Sequence, residues 1–286
     1  MDKLEYLIDV NKANMTIRDF LLGYHLGKEK IYFYEVNKAF FVNDENVNEW
    51  YKLSQGDKLS ISIKENIDIA PIPSSLDIVY EDSNYLIVNK PRGILVHEDG
   101  NSEKITLRHM VSNYYKNKRI KRNVRICNRL DVMTEGLIIV AKDDVSEAYM
   151  NYLISERKIE KRYYAVCYNK FKNKEGVISL PIGKNIHKNN QMIVYKKGKE
   201  AITEYKVIKN GKISLLDINL ITGRTHQIRV HLSYLNHPLC GDNIYGIEDG
   251  YELGLQSYYI EFFNPFSEKN IKVELALSNT LRDILK

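Results

Sequence analysis

Asp131 stands in the segment Asn128-Arg129-Leu130-Asp131, followed by Met133-Thr134-Glu135-Gly136 and the apolar run Leu137 to Ala141. A second dense segment lies further along: Thr222-Gly223-Arg224-Thr225-His226-Gln227-Ile228-Arg229-Val230-His231. A guanidinium beside a carboxylate favours its ionised form, and an ionised aspartate serves as nucleophile or base. The chain carries neither a phosphate-binding loop nor a zinc-helix motif. One carboxylate with fixed basic groups, on a chain of net charge +5, points to cofactor-free chemistry on a polyanion.

These groups need elements to hold them. Residues 224–235 read as a helix in which Ile228, Leu232 and Leu235 bury one face while Arg224, Gln227 and His231 share another. Asn236 and Pro238 end it. From such a helix Arg224 can approach Asp131, and its planar donors suit a carboxylate or a phosphate. A basic surface helix is the competing reading, but such a helix would carry mixed Glu/Lys pairs, and this one has no acid. His226, His231, His237, Cys240 and Asp242 invite a metal reading. His226 and His231 are five apart, however, about 140° around a helix, whereas a zinc helix uses a spacing of four. No metal site is expected. In Glu160-Lys161-Arg162-Tyr163-Tyr164-Ala165-Val166 the two tyrosines face opposite sides of a strand, so one can line a cleft and stack on a base. Lys116 to Arg125 is basic without an acid. Its Lys118, Arg119, Lys121 and Arg122 either sit in a solvated loop or track a phosphate backbone.

The chain has 286 residues and 44% hydrophobic content, enough for one large domain with a small one. Three scattered cysteines, Cys127, Cys167 and Cys240, give no disulfide framework and point to a reducing cytosol. The N-terminus is charged rather than apolar, and no stretch approaches the length of a membrane span. A cytoplasmic protein is expected.

Three regions are expected: 1–66, a linker 67–75 with Pro71, Pro73 and Ser74-Ser75, and 76–286. In the first, Thr16 caps a helix, a second helix covers Glu29 to Val36, and Lys58 to Ile63 alternates as a strand. In the third, strand signals (Asp77 to Tyr80, Tyr85 to Val88, Gly136 to Ala141, Tyr163 to Tyr168, Ile213 to Leu220) outnumber helical ones (Leu107 to Tyr115, Val145 to Glu156, 224–235). Strands and helices do not alternate regularly. That favours α+β over a doubly wound sheet.

These residues carry a resemblance. Asn128-Arg129-Leu130-Asp131 with Thr134-Glu135-Gly136 and Ala141-Lys142 is similar to the central motif of the RluA-type pseudouridine synthases. So are Asn89-Lys90-Pro91-Arg92-Gly93, Lys161-Arg162-Tyr163-Tyr164-Ala165, and Thr222 to His231 followed by Pro238, Gly241-Asp242 and Tyr245-Gly246. Phe262 with Asn264-Pro265 resembles the final strand motif. The motifs run in family order over about 76–286. Asn128 stands for the usual His, Glu135 for the usual Ser, and Leu255-Gln256-Ser257 where Leu-His-Ala is common. Residues 1–66, through Val42-Asn43 and Leu53, Gly56-Asp57 and Leu59, resemble the RNA-binding domain named after ribosomal small-subunit protein S-four.

The resemblance implies a catalytic domain built on a mixed, mostly antiparallel sheet with flanking helices and loops, plus a small N-terminal α+β RNA-binding domain. It implies isomerisation of uridine to pseudouridine in structured RNA, without cofactor or metal, by a monomer. Large-subunit ribosomal RNA is the expected substrate and transfer RNA the alternative. Asp131 is the implied reacting carboxylate and Arg224 its partner, while Tyr163 stacks on the target base or helps the final deprotonation. Arg129 fills the space a flipped uridine leaves. Asn128, Gln227 and Arg229 join Lys118, Arg119, Lys121 and Arg122 as the expected RNA contacts. A non-catalytic RNA-binding or ribosome-assembly factor is the rival class, and the substitutions at 128, 135 and 256 are its support.

Overall fold

The computed structural model describes residues 2–100 and 104–286, in two compact units. The first comprises Met1–Ile87, Ile105–Asn128 and Ile139–Ser155; the second comprises Val88–Lys104, Arg129–Ile138 and Glu156–Lys286. This division cuts across the expected start of a domain at residue 76. Two strands each begin in one unit and end in the other.

Within the first unit the chain forms β1 (Asp2–Leu7), α1 (Ile17–Gly23), α2 (Lys28–Val36), β2 (Phe40–Val42), β3 (Glu45–Asn46) and β4 (Lys58–Ile63). The strands make a four-stranded sheet in the order β1-β4-β2-β3. Thr16 accepts a hydrogen bond from the Asp19 amide and caps α1, as its sequence position predicts. Ile17, Phe20, Leu21, Ile31, Phe40, Leu59 and Ile61 are buried and form the core. After β5 (Ile78–Glu81), β6 (Tyr85–Lys90) leads into the second unit. The chain returns for α3 (Leu107–Asn117) and β7 (Arg125–Ile126), leaves again, and comes back along β8 (Glu135–Ala141) into α4 (Asp144–Ser155). Arg125 is 8% exposed and donates from Nε to Asp144 at 2.8 Å, with Glu65 on its other side. That buried ion cluster is a packing device within this unit.

The second unit contains β9 (Glu160–Tyr168), β10 (Glu175–Ser179), β11 (Ile182–Lys184), β12 (Met192–Val194), β13 (Ile202–Lys209), β14 (Ile213–Leu220), α5 (Gln227–Tyr234), β15 (Leu255–Asn264), β16 (Lys269–Glu274) and α6 (Asn279–Ile284). Five strands run in the order β10-β13-β14-β9-β15, each antiparallel to its neighbour. β16 pairs with β15 antiparallel, and the start of β8 joins β15 in parallel. This is the mixed, mostly antiparallel α+β arrangement that the sequence predicts.

Gly136 makes the parallel junction possible. Its φ is +117°, and a Cβ there would lie 2.0 Å from the Ser257 carbonyl oxygen. No side chain fits, so β8 approaches β15 only because this residue is glycine.

Candidate active site

Asp131 lies on the turn that feeds β8. The Thr134 amide donates to the Asp131 carbonyl at 3.1 Å and closes the turn. Val132 O accepts from the Gly93 amide at 2.9 Å and from Lys90 Nζ at 3.1 Å. Lys90 is fully buried, and its ammonium also donates to Pro91 O at 2.9 Å and Ile94 O at 3.0 Å. An ammonium has three donors, and all three are used. Burial pushes the Lys90 pKa down to about 8, against the opposing pull of the Asp131 charge. The Asn89-Lys90-Pro91 segment thus acts as a spacer that pins the backbone beside Asp131.

Asp131 is a quarter exposed, and the guanidinium at its carboxylate belongs to Arg229, not Arg224. Arg229 Nη1 donates to Asp131 Oδ2 at 3.3 Å. Its Nε and Nη2 donate to the two oxygens of Asp242 at 2.9 and 2.7 Å, and the Tyr245 ring packs 5.1 Å from its central carbon. Asp242 is wholly buried and also accepts the amides of Ile244 and Tyr245, both at 3.1 Å. Burial works against the Arg229 charge, but Asp242 and then Asp131 outweigh it and raise its pKa. His226 Nε2 lies 3.7 Å from Asp131 Oδ2, and its Nδ1 is 2.8 Å from the Tyr245 hydroxyl. Burial lowers the His226 pKa, the Asp131 charge opposing and Arg229 adding to the shift.

The expected pairing of Arg224 with Asp131 is therefore corrected, and the reason is where the helix starts. His226 adopts a left-handed conformation, φ 57°, so α5 begins at Gln227 and leaves Arg224 in the preceding turn. There its Nε donates to Glu200 O at 2.8 Å. Nor does α5 have a solvated basic face, since Gln227 through Leu232 are all buried.

Gln227, expected at the RNA, instead makes four bonds inside the protein. It accepts from Thr222 Oγ1 at 2.8 Å and from the Arg224 amide at 3.0 Å, and donates to Ile202 O and Thr203 Oγ1, both at 2.9 Å. His231 lies between Thr203 Oγ1 at 2.9 Å and Leu180 O at 2.8 Å, and His237 Nδ1 is 3.1 Å from Tyr168 O. Among the described residues no group of three His, Cys, Asp or Glu side chains is arranged to hold a metal ion.

Tyr163 is 5% exposed on β9, opposite Ile218 of β14 and Ser257 of β15. Burial, with a smaller contribution from the Asp131 charge, pushes its phenol up to about 12. Tyr164 faces the other way and stacks on Tyr258 at 3.7 Å, so the alternation holds.

The remaining expected contacts divide. Arg129 is exposed in the second unit. Lys118, Arg119 and Lys121 are exposed in the first unit, with Lys118 Nζ 5.8 Å over the Tyr114 ring. Arg122 is half-buried and donates to Lys142 O at 3.3 Å and Lys3 O at 3.4 Å, so its guanidinium ties the first unit together. Asn128 accepts the Ile139 amide at 2.7 Å through Oδ1 and so holds the backbone of β8. The residue missed in role is Asp242. The sequence offered it only as part of Gly241-Asp242 and in the metal reading set aside above, not as an anchor for Arg229.

Residues 84–234 match the model of the RNA pseudouridylate synthase family. The chain is 32% identical over 254 residues to the uncharacterized RNA pseudouridine synthase YhcT of Bacillus subtilis, covering 86% of this chain and 83% of that one. It is 37% identical over 253 residues to ribosomal large subunit pseudouridine synthase D of Blochmanniella floridana, covering 84% and 78%. The solved structure of human RNA pseudouridylate synthase domain containing 1 superposes with a TM-score of 0.60 at 25% identity, over 73% of this chain and 89% of that one. The chain belongs to the RNA pseudouridylate synthase family.

Proposed function

We propose that this enzyme isomerises uridine to pseudouridine in large-subunit ribosomal RNA, with Asp131 as the reacting carboxylate. The observation that carries the site reading is the contact of partly open Asp131 with Arg229, a cation whose other donors are held by buried Asp242. A carboxylate placed against a fixed, desolvated guanidinium needs little rearrangement before it reacts. The substrate reading is supported by several relatives named ribosomal large subunit pseudouridine synthase D.

The reaction breaks the bond from ribose C1′ to uracil N1, turns the ring and joins C1′ to C5; the C5 proton leaves to solvent and N1 takes one up, so the product is an isomer of the substrate. Asp131 starts it either by attack on C1′ or by removing the C2′ proton to give a glycal; both need the same carboxylate beside the sugar. The target nucleotide has to leave its stack, which costs a few kcal/mol and favours bulges and loops. Arg129, exposed two residues before Asp131, suits the gap left behind. A phenol raised to about 12 stays protonated in neutral solution. Tyr163 therefore fits ring stacking better than proton abstraction.

The N-terminal region supports RNA contact by stacking. Trp50 and Tyr32 are 62% and 63% exposed, Arg18 lies 5.1 Å over the Trp50 ring and Lys30 lies 5.2 Å over the exposed Phe33 ring. Exposed aromatics among cations stack on unpaired bases. We assign residues 1–66 to an S-four-like RNA-binding domain on this ground. A monomer in the cytoplasm is the matching setting; among the described residues no helix is long and apolar enough to cross a membrane.

The test is incubation with transcripts of large-subunit ribosomal RNA, small-subunit ribosomal RNA and transfer RNA, followed by nucleoside chromatography. Pseudouridine in the large-subunit transcript alone is the expected result. Pseudouridine in transfer RNA alone would overturn the substrate assignment, and none in any RNA would favour a binding factor.

A further inference from the structure

Two residues that depart from the family pattern, Glu135 and Gln256, are register partners across the parallel β8–β15 pair. Both bond to Ser278. The Ser278 hydroxyl donates to Glu135 Oε1 at 2.6 Å, and the Ser278 amide donates to Gln256 Oε1 at 2.9 Å. Gln256 Nε2 donates in turn to Ala276 O at 3.0 Å. On its other side Glu135 Oε1 accepts from Arg92 Nη2 at 2.7 Å, and the two side chains are only 17% and 10% exposed. Arg92 Nη1 donates to Met133 O at 3.1 Å and also to Leu253 O. Met133 is two residues from Asp131.

We propose that Arg92 and Glu135 form a positioning strut for Asp131, anchored to the last helix through Ser278. The proposal rests on the reading of Asp131 as the reacting carboxylate. Its logic is mechanical. Lys90 and the Gly93 amide hold the carbonyl of Val132, and Arg92 holds the next carbonyl, Met133. Arg92 stays in place because Glu135 balances its charge where water scarcely reaches, with the more exposed Glu252 3.5 Å from its Nε, and Glu135 stays because Ser278 donates to the same oxygen. The turn Asp131–Thr134 is thereby fixed at consecutive backbone positions. The acid that could have repelled Asp131 is bound to a cation and a hydroxyl instead. Glu135 is thus a positioning residue, not a sign of lost activity. The sub-ångström placement that a reacting carboxylate needs is what such a strut supplies.

The experiment uses the full chain and a large-subunit ribosomal RNA transcript labelled with tritium at uracil C5. It compares Arg92→Ala, Glu135→Ser, the double variant and Asp131→Asn for single-turnover rate at saturating enzyme, RNA Kd and thermal midpoint. Each single variant is expected to lose about tenfold to a hundredfold in rate with RNA Kd within about twofold. The double variant should lose no more than the worse single one, because the two residues act as one unit. Glu135→Gln, which keeps the shape and the bond from Ser278, should recover part of the Glu135→Ser loss, and it stands in if Arg92→Ala fails to fold. Full rates in both single variants, or losses that multiply in the double one, would overturn the strut. A lowered thermal midpoint with an unchanged rate would overturn it too. If Asp131→Asn itself turns over, the site reading fails instead, so the two failures are distinguishable.

Discussion

Arg229 Nη1 sits 3.3 Å from Asp131 Oδ2, while Arg224, which the sequence puts forward for that place, bonds to the Glu200 carbonyl. The two arginines should separate cleanly. Arg229→Ala is expected to cut the rate of pseudouridine formation by about a hundredfold to a thousandfold, the usual loss when a preorganised charged donor is removed. Arg224→Ala should cost a few-fold at most. Equal losses for the two would contradict the geometry.

Asp242 is the buried anchor of that arginine, taking two of its donors. Removing one partner of a buried pair leaves the other charge uncompensated, a cost of about 3–5 kcal/mol. Asp242→Ala should therefore lower stability by about that amount in denaturant titration. Asp242→Asn, which keeps the shape, should lose less stability yet still lose turnover. An Asp242→Ala protein as stable and active as the parent would remove the anchor from the account.

Gly136→Ala tests the parallel junction. The position combines φ +117° with a Cβ 2.0 Å from the Ser257 carbonyl oxygen. Strain and overlap together should cost at least about 3 kcal/mol. A near-neutral thermal melt would show that β8 and β15 separate more easily than their pairing implies.

Acid should weaken the fold through two histidines. Burial holds the pKa values of both His226 and His231 below the ordinary imidazole value of 6.5. Between 6.5 and the lower folded values the unfolded chain binds protons that the folded chain refuses. Stability is thus fully present above 6.5 and falls as pH drops through that window. The denaturant midpoint should fall from pH 7.5 to pH 5.5, and the fall should be shallower in His226→Gln, provided that variant folds. An unchanged or rising midpoint on acidification would contradict the assignment.

Two kinds of basic residue in the stretch before β8 should also separate. Arg125→Met should destabilise the protein, because Arg125 is buried between Glu65 and Asp144. Exposed Lys118, Arg119 and Lys121 should each change stability little, and each alanine variant should reduce the salt slope of RNA binding by about 1 if the residue meets a phosphate. An unchanged slope in all three would return this stretch to a solvated loop. Trp50→Ala gives the parallel test for the first 66 residues. A point change suits that region better than deletion, since Tyr34 and Glu65 bond to Asp144 and Arg125 within the same unit.

Local signals were readable wherever the cause was local. The Thr16 cap, strand β14 from Ile213 to Leu220, and the start of α3 at Leu107 follow from capping and alternation within a few residues. The α+β class follows from the irregular spacing of such elements. The start of α5 was not readable, because helical spacing continues back to Arg224 and only the left-handed turn at His226 breaks it. That one break exchanges Arg229 for Arg224 at the carboxylate. Gln227 looked like a surface polar residue because its partners, Ile202 and Thr203, lie on a distant strand. Glu135 looked like a liability for the same reason: Arg92 is 43 residues away and Ser278 is 143. Strand β1 carried no turn or alternation strong enough to mark it, and its pairing with β4 across the whole N-terminal region defines it.

The central claim is that Asp131 carries the reaction. The most direct test is tritium release from large-subunit ribosomal RNA labelled at uracil C5, comparing the parent with Asp131→Ala at matched RNA binding. Release by the parent, and none above background from the variant that still binds RNA, is the predicted result. Release by both would contradict the claim and send the search for the reacting group elsewhere.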